Sequence, residues 1–192
     1  MKVPPRALAG GALAAAGFAQ GVSLAPVSSC GARGFFALIV AGLCASRMGG
    51  NWNRAVPALL FVSSLLGARA GIHRPLLEVL GSWSMLAATA MAGMLIVLPR
   101  PHSTPSAVVA AALLGFGFGV QQGVDLLGAT ANSGTNVTIW WAGAVLMAAG
   151  VYATGALIGK HIARSGQAHR SFVWVGVFTC LLCGAWIAHQ VG

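Results

Sequence analysis

Acid is what this sequence lacks most. Asp125 and Glu78 are its two acidic residues, set against eleven Lys and Arg in a chain of 192. That scarcity excludes enzymes that work through paired carboxylates and metal centres rich in carboxylate oxygens. No nucleophile with an adjacent base and no phosphate-cradling loop is visible, so the chain is not read as an enzyme. Glycines alternate from Gly115 to Gly119, but inside an apolar run, without the strand that leads into a dinucleotide site. Basic clusters and aromatic-interleaved basic patches are missing too, which excludes a nucleic-acid partner. Charge of any sign is rare: 7% of residues are charged, 57% are hydrophobic and mean hydropathy is +0.83. A soluble domain of this size has too few polar side chains here to cover its surface. Linkers and low-complexity tracts are absent. The fold class expected is an all-α, polytopic transmembrane bundle forming one domain over residues 1–192.

What is present is a series of apolar runs. With about 20 apolar residues needed to cross a bilayer, seven segments emerge: Ala7–Val27, Gly34–Met48, Ala55–Ile72, Leu76–Leu98, Ser106–Leu127, Thr138–Lys160 and Ser171–Val191. Pro57, Pro75, Pro99, Pro101 and Pro105 fall near segment ends, where a missing N–H matters least. Seven spans place Lys2, Arg6, Arg47, Arg54, Arg100, Lys160, Arg164 and Arg170 on one side, and Arg33, Arg69 and Arg74 on the other. The positive-inside rule then puts the N-terminus in the cytoplasm of a bacterial inner membrane. Most of the six tryptophans lie near segment ends, as an interfacial belt requires, with Trp83 and Trp186 deeper. Lys2 and Arg6, an alanine-rich run and Val27-Ser28-Ser29-Cys30 also fit a cleaved secretory or lipoprotein signal, which would leave six spans.

Cysteine and histidine offer little chemistry. Cys180-x-x-Cys183 has the spacing of a metal or redox pair, yet lies within the last apolar run with no second pair. Packing is its reading, while the role of Cys30 in a loop stays open. His73, His102, His161 and His169 sit in or beside short loops, and His189 ends the last segment. That is the wrong depth for a bis-histidine haem. The last segment holds no lysine for a retinal Schiff base. No cofactor is expected.

The stretch that organises the chain is Leu113–Leu127, LLGFGFGVQQGVDLL. Gly115, Gly119 and Gly123 recur every four residues, lining one helix face where a neighbouring backbone can approach. Gln121, Gln122 and Asp125 are polar at a depth where lipid is the solvent. An aspartate there costs roughly 2.5–3.5 kcal/mol on insertion scales, so it faces a partner or a wet cavity. Gln121 and Asp125 share a face, while Gln122 points elsewhere. Two readings stand: the lining of a transport route, or polar glue between helices. Glu78 follows Pro75-Leu76-Leu77, either as a carboxylate complementing a helix N-terminus beside Arg74 or as a cation-attracting acid at a mouth.

The layout from about Gly17 onward resembles the HupE/UreJ family of small bacterial membrane proteins, regarded as nickel or related divalent-metal permeases. The corresponding stretches are Ala25-Pro26, then Arg33-Gly34 before Phe35–Leu43, then the proline-bearing Val56–Val62, then Glu78 with Ser84. The family's His-Gly-His-Ala-His-Gly run and following acid align with Phe118-Gly119-Val120-Gln121-Gln122-Gly123-Val124-Asp125. Glycines and acid remain, but Phe118, Val120 and Gln122 replace the histidines, Ala25 and Gly34 the early ones, and Arg33 the early acid. Imidazole and carboxylate bind nickel and cobalt far better than amides do. The resemblance therefore implies the family's scaffold with an eroded metal site and no assignable metal ligands. Two functions follow. One is a non-catalytic accessory or scaffold subunit of a larger respiratory, photosynthetic or hydrogenase-type complex, surrounded by membrane lipids, with a homo-oligomer also open. The other is a divalent-metal or small-solute permease using Gln121, Gln122, Asp125 and Glu78, with Arg33 deciding whether a cation path is closed.

Overall fold

A computed structural model describes residues 31–98, 104–133 and 137–191. These residues form α1 (Gly31–Met48), α2 (Trp52–His73), a 3-10 turn (Pro75–Leu77), α3 (Glu78–Val97), α4 (Thr104–Ser133), α5 (Val137–Arg164) and α6 (Ala168–Val191). No strand occurs among the described residues. Helix is the form expected of such apolar runs, because hydrocarbon offers no partner for a backbone N–H or C=O outside its own segment. Five helices, α2 to α6, are long and apolar enough to cross a membrane. The seven expected spans are thus met by five such helices. Of the other two segments, Gly34–Met48 lies within α1, whose 18 residues carry Arg33 and Arg47 near the ends. The segment Ala7–Val27 lies outside the described residues, as does Cys30. The fifth expected span is longer than its apolar run: α4 continues past Leu127, where the run ends, through Asn132 and Ser133.

The turn after α1 is short and locally encoded. Gly49 and Gly50 follow α1 with φ of +68° and +55°, a left-handed conformation that glycine enters without a Cβ clash. The Gly49 N–H donates to Ala45 O at 3.1 Å and closes the helix. Arg47 Nη2 donates to Leu98 O at 2.8 Å, and its guanidinium lies 4.9 Å from the centre of the Phe172 ring. One arginine thereby ties the end of α1 to the end of α3 and the start of α6, a polar bond backed by a cation–π contact.

Helix α4 packs mainly on α2 and α3, α1 packs on α5, and α3 also packs on α6. Directions follow from the residue pairs. Leu60, Ser64 and Ala68 meet Gly115, Gly119 and Gly123 in the same order, so α2 and α4 run parallel; Ile39 and Ser46 against Gly155 and Gly159 make α1 and α5 parallel. Gly93 faces both Gly176 and Thr179, and Gly81 faces Gly117 and Val120; α3 is antiparallel to α6 and to α4. Such a chain crosses back and forth. One end of the bundle then carries Arg47, Arg54, Lys160, Arg164 and Arg170, and the other carries Arg33, Arg69 and Arg74.

Glycine sets the spacing of these pairs. A Cβ added to Gly115 would lie 2.6 Å from Leu60 O, and one on Gly117 would lie 2.5 Å from Gly81 O. At Gly67, Gly71, Gly119 and Gly123 an added Cβ would likewise run into a carbonyl of the facing helix. Lipid tails are as apolar as leucine, so helices in a bilayer associate through close van der Waals packing and polar bonds. Backbone approach of this kind also allows Cα–H···O contacts of roughly 0.5–1 kcal/mol each. Larger side chains fill the angles between helices: Leu114 and Phe118 pack with Leu38, Leu60 and Met85, and Ile96 with Val40 and Phe172. One tryptophan departs from the expected belt. Trp140 is 1% exposed and packs with Leu126 and Ala144, so it belongs to the core.

Gly119→Leu is expected to destabilise the bundle by about 1–3 kcal/mol, because the facing Ser64 carbonyl is backbone and cannot swing aside. Gly150→Leu, at a position with nothing within 4 Å, is expected to change stability by less than about 0.5 kcal/mol. Thermal unfolding of the two variants in one detergent checks the contrast.

Candidate functional site

The glycine seam on α4 also places the polar residues singled out in the sequence. Gln121 is 2% exposed, and its Nε2 donates to Glu78 O at 2.9 Å and to Ser82 Oγ at 2.8 Å. Both acceptors are on the first turns of α3. Gly117 and Gly81 make this geometry reachable: without a Cβ on either, the two helices come close enough for an amide to span the gap. A buried amide with no partner is costly in hydrocarbon, and each bond it makes across helices in a membrane is worth about 0.6 kcal/mol, up to about 1.7. Gln121 is therefore a clamp between α4 and α3.

Beside the clamp is a cavity of about 20 Å³, whose walls include Arg33, Ser82, Thr89, Gln121 and Trp186. Its size suits about one water molecule. The Arg33 guanidinium stands 5.6 Å from the centre of the Trp186 ring, and Trp186 meets Phe36 edge-on with centroids 6.0 Å apart. The structure thus brings together Arg33, Gln121 and the backbone of Glu78. The Glu78 side chain is itself exposed at the start of α3, and its carbonyl is what reaches the clamp. Gln122 is fully buried on a different face from Gln121. Asp125 is half-buried one turn further along α4. Gly115, Gly119 and Gly123 lie on the α2 side, away from the clamp.

Hydroxyl groups along the same seams are turned onto their own helices. Ser63 donates to Leu59 O at 2.6 Å, Ser64 to Phe61 O at 2.8 Å, Ser84 to Gly81 O at 2.8 Å and Thr89 to Met85 O at 2.7 Å. Back-bonding satisfies these groups without water.

Metal-ligating side chains do not converge among the described residues, where no group of three His, Cys, Asp or Glu is placed to hold one ion. His73, His161, His169 and His189 are exposed, and His102 lies outside the described residues. Cys180 Sγ donates weakly to Ala90 O at 3.9 Å, across the α3–α6 contact, and Cys183 is 1% exposed. Cys44, Cys180 and Cys183 are free thiols in packed surroundings. Sequence reasoning missed Ser82, Thr89 and the part played by Trp186. No spacing rule ties α3 to α4; their register is set by the Gly81–Gly117 approach, which a sequence does not display.

Fold and site together define a multi-pass membrane helical bundle with a buried amide clamp at its polar centre. Compared with known proteins, the chain matches no protein-family model, no curated protein and no solved structure.

Gln121→Leu, which keeps the volume and removes both bonds, is expected to cost about 1–2 kcal/mol. In a double-mutant cycle with Ser82→Ala, the coupling should be about 0.6–1.7 kcal/mol. Unfolding in mixed micelles reads both, and a coupling near zero would mean that the two side chains do not share a bond in the membrane.

Proposed function

We infer that this chain is a non-catalytic accessory or scaffold subunit, a HupE/UreJ-like bundle that packs within a larger bacterial inner-membrane complex. The Gln121 clamp carries this reading. Its amide, the feature best suited to line a solute route, is bonded across a glycine-tight contact between α4 and α3. The Ser84 and Thr89 hydroxyls nearby bond to their own helix, and the cavity beside the clamp has room for about one water. A lipid-facing surface of small residues supports the same reading. Ala149, Gly150, Ala153 and Thr154 of α5 are exposed, and nothing lies within 4 Å of a Cβ built on Gly150. Small residues on an open face suit close approach by another helix.

Asp125 favours a second reading, a divalent-metal or small-solute permease, because a half-buried acid at this depth is the kind of group that attends a cation. Purification of the tagged native protein in mild detergent separates the two. The accessory reading expects larger partner subunits in stoichiometric amounts and no nickel, cobalt, copper or zinc. A lone protein or homo-oligomer carrying metal that is lost on Asp125→Asn would overturn it in favour of the permease.

A further inference from the structure

On the outside of the bundle, α3 and α6 leave between them an open groove of about 560 Å³. Met94, Val97 and Leu98 of α3 and Val177, Cys180 and Leu181 of α6 wall it, and that wall is almost wholly apolar. Met94, Leu98, Val177 and Leu181 are exposed, so the groove opens onto lipid chains. Its α3 wall stops where α3 stops. At 1.5 Å per residue the 20 residues of α3 span about 30 Å, the thickness of the hydrocarbon core. Leu98 therefore stands at the level where lipid headgroups begin.

Two arginines stand at this head of the groove. Arg47 donates to the carbonyl of Leu98, itself a groove residue, and lies against the Phe172 ring of α6. It thus bridges the two helices that form the walls. Among the described residues that carbonyl is its one hydrogen-bond acceptor, although a guanidinium has five N–H donors. Arg170 is exposed on the first turn of α6, seven residues before Val177 and eleven before Leu181, on the stripe that faces the groove. Trp174, 63% exposed on the same side of α6, brings an indole N–H to headgroup level. No side-chain carboxylate answers these charges. Glu78 and Asp125 are the two acids of the sequence; Glu78 is at the opposite end of α3, and Asp125 is far along α4 from its start at this end. Each is about 30 Å away along its helix, against a screening length of about 8 Å at physiological salt.

We propose that this groove seats an anionic phospholipid, with one acyl chain along its walls and the phosphate held by the guanidinium groups of Arg170 and Arg47. Charge complementarity selects the headgroup. The planar fork of arginine matches phosphate oxygens in pairs, and the N-terminus of α6 adds positive potential at the same place. A zwitterionic headgroup would bring its own ammonium against two guanidinium groups. The proposal concerns lipid binding alone and does not rest on the accessory reading.

The test is native mass spectrometry of the full chain released from nanodiscs that hold equal amounts of phosphatidylglycerol and phosphatidylethanolamine. Wild type is expected to retain phosphatidylglycerol with a preference of roughly tenfold, the equivalent of one charge-assisted hydrogen bond. Arg170→Gln, at an exposed position, should lose that preference while melting as wild type does. Arg54→Gln removes an equal charge from the same end of the bundle, on a helix that does not wall the groove, and should keep it. Val177→Trp, which fills the groove from an exposed position, should lower retention of both lipids. Equal retention of the two lipids by wild type would overturn the proposal. An effect of Arg54→Gln as large as that of Arg170→Gln would do so too, since net charge alone would then draw the lipid. Retention of neither lipid by wild type would also overturn it and leave the groove to a partner helix.

Discussion

Backbone-to-backbone contact between α4 and its two neighbours is the constraint from which the rest of the structure follows. A helix in lipid gains nothing from burying leucine against leucine, so the pairs that hold must approach more closely than lipid chains can. Gly115, Gly119 and Gly123 meet α2 on one side of α4, and Gly117 meets Gly81 of α3 on another. Gln121 reaches its two acceptors because that approach has already been made. Related contacts recur at Gly42 and Gly155 between α1 and α5, and at Gly93 and Gly176 between α3 and α6. The bundle is a set of glycine-spaced pairs joined through α3 and α4.

Polar groups in such a bundle can serve packing or transport, and the same side chain rarely serves both. An amide lining a solute route has to exchange partners with whatever passes. Gln121 instead has its N–H groups directed at a carbonyl and a hydroxyl of one neighbouring helix, and Ser84 and Thr89 further along that helix bond within their own turns. A roomier space, of about 140 Å³, lies away from the clamp between α1, α2, α4 and α5, and its walls are almost wholly apolar. The part of the chain that looks most polar in one dimension is thus tightly packed.

Much of this architecture was legible in the sequence. The apolar runs from Ala55 onward fall within α2 to α6 to within a few residues, because hydrophobic length is a direct reading of membrane thickness. The run from Gly34 to Met48 likewise falls within α1, although α1 is not among the five helices counted as long and apolar enough to span. The four-residue repeat of glycines on α4 marked a close-packing face before any neighbour was known. Partner identity was not legible. Ser82 and the carbonyl of Glu78 gain meaning only once α3 and α4 are in register, and Trp140 resembles a belt residue until its helix is rotated into the core. Tyr152 carries no motif. Its hydroxyl is buried without a hydrogen-bond partner among the described residues, which appears only when the helices are assembled.

Water access along α4 tests the central claim most directly. With the four native cysteines replaced by alanine, single cysteines at Val120 and Gln122, both fully buried, would be exposed to a membrane-impermeant thiol reagent from each side of the bilayer. Ser165, exposed in the turn before α6, serves as the reactive control. If α4 is a packing helix, Val120→Cys and Gln122→Cys stay unlabelled under conditions that modify Ser165→Cys completely. Labelling of either buried position from the aqueous phase would show a wet route beside α4 and contradict the account.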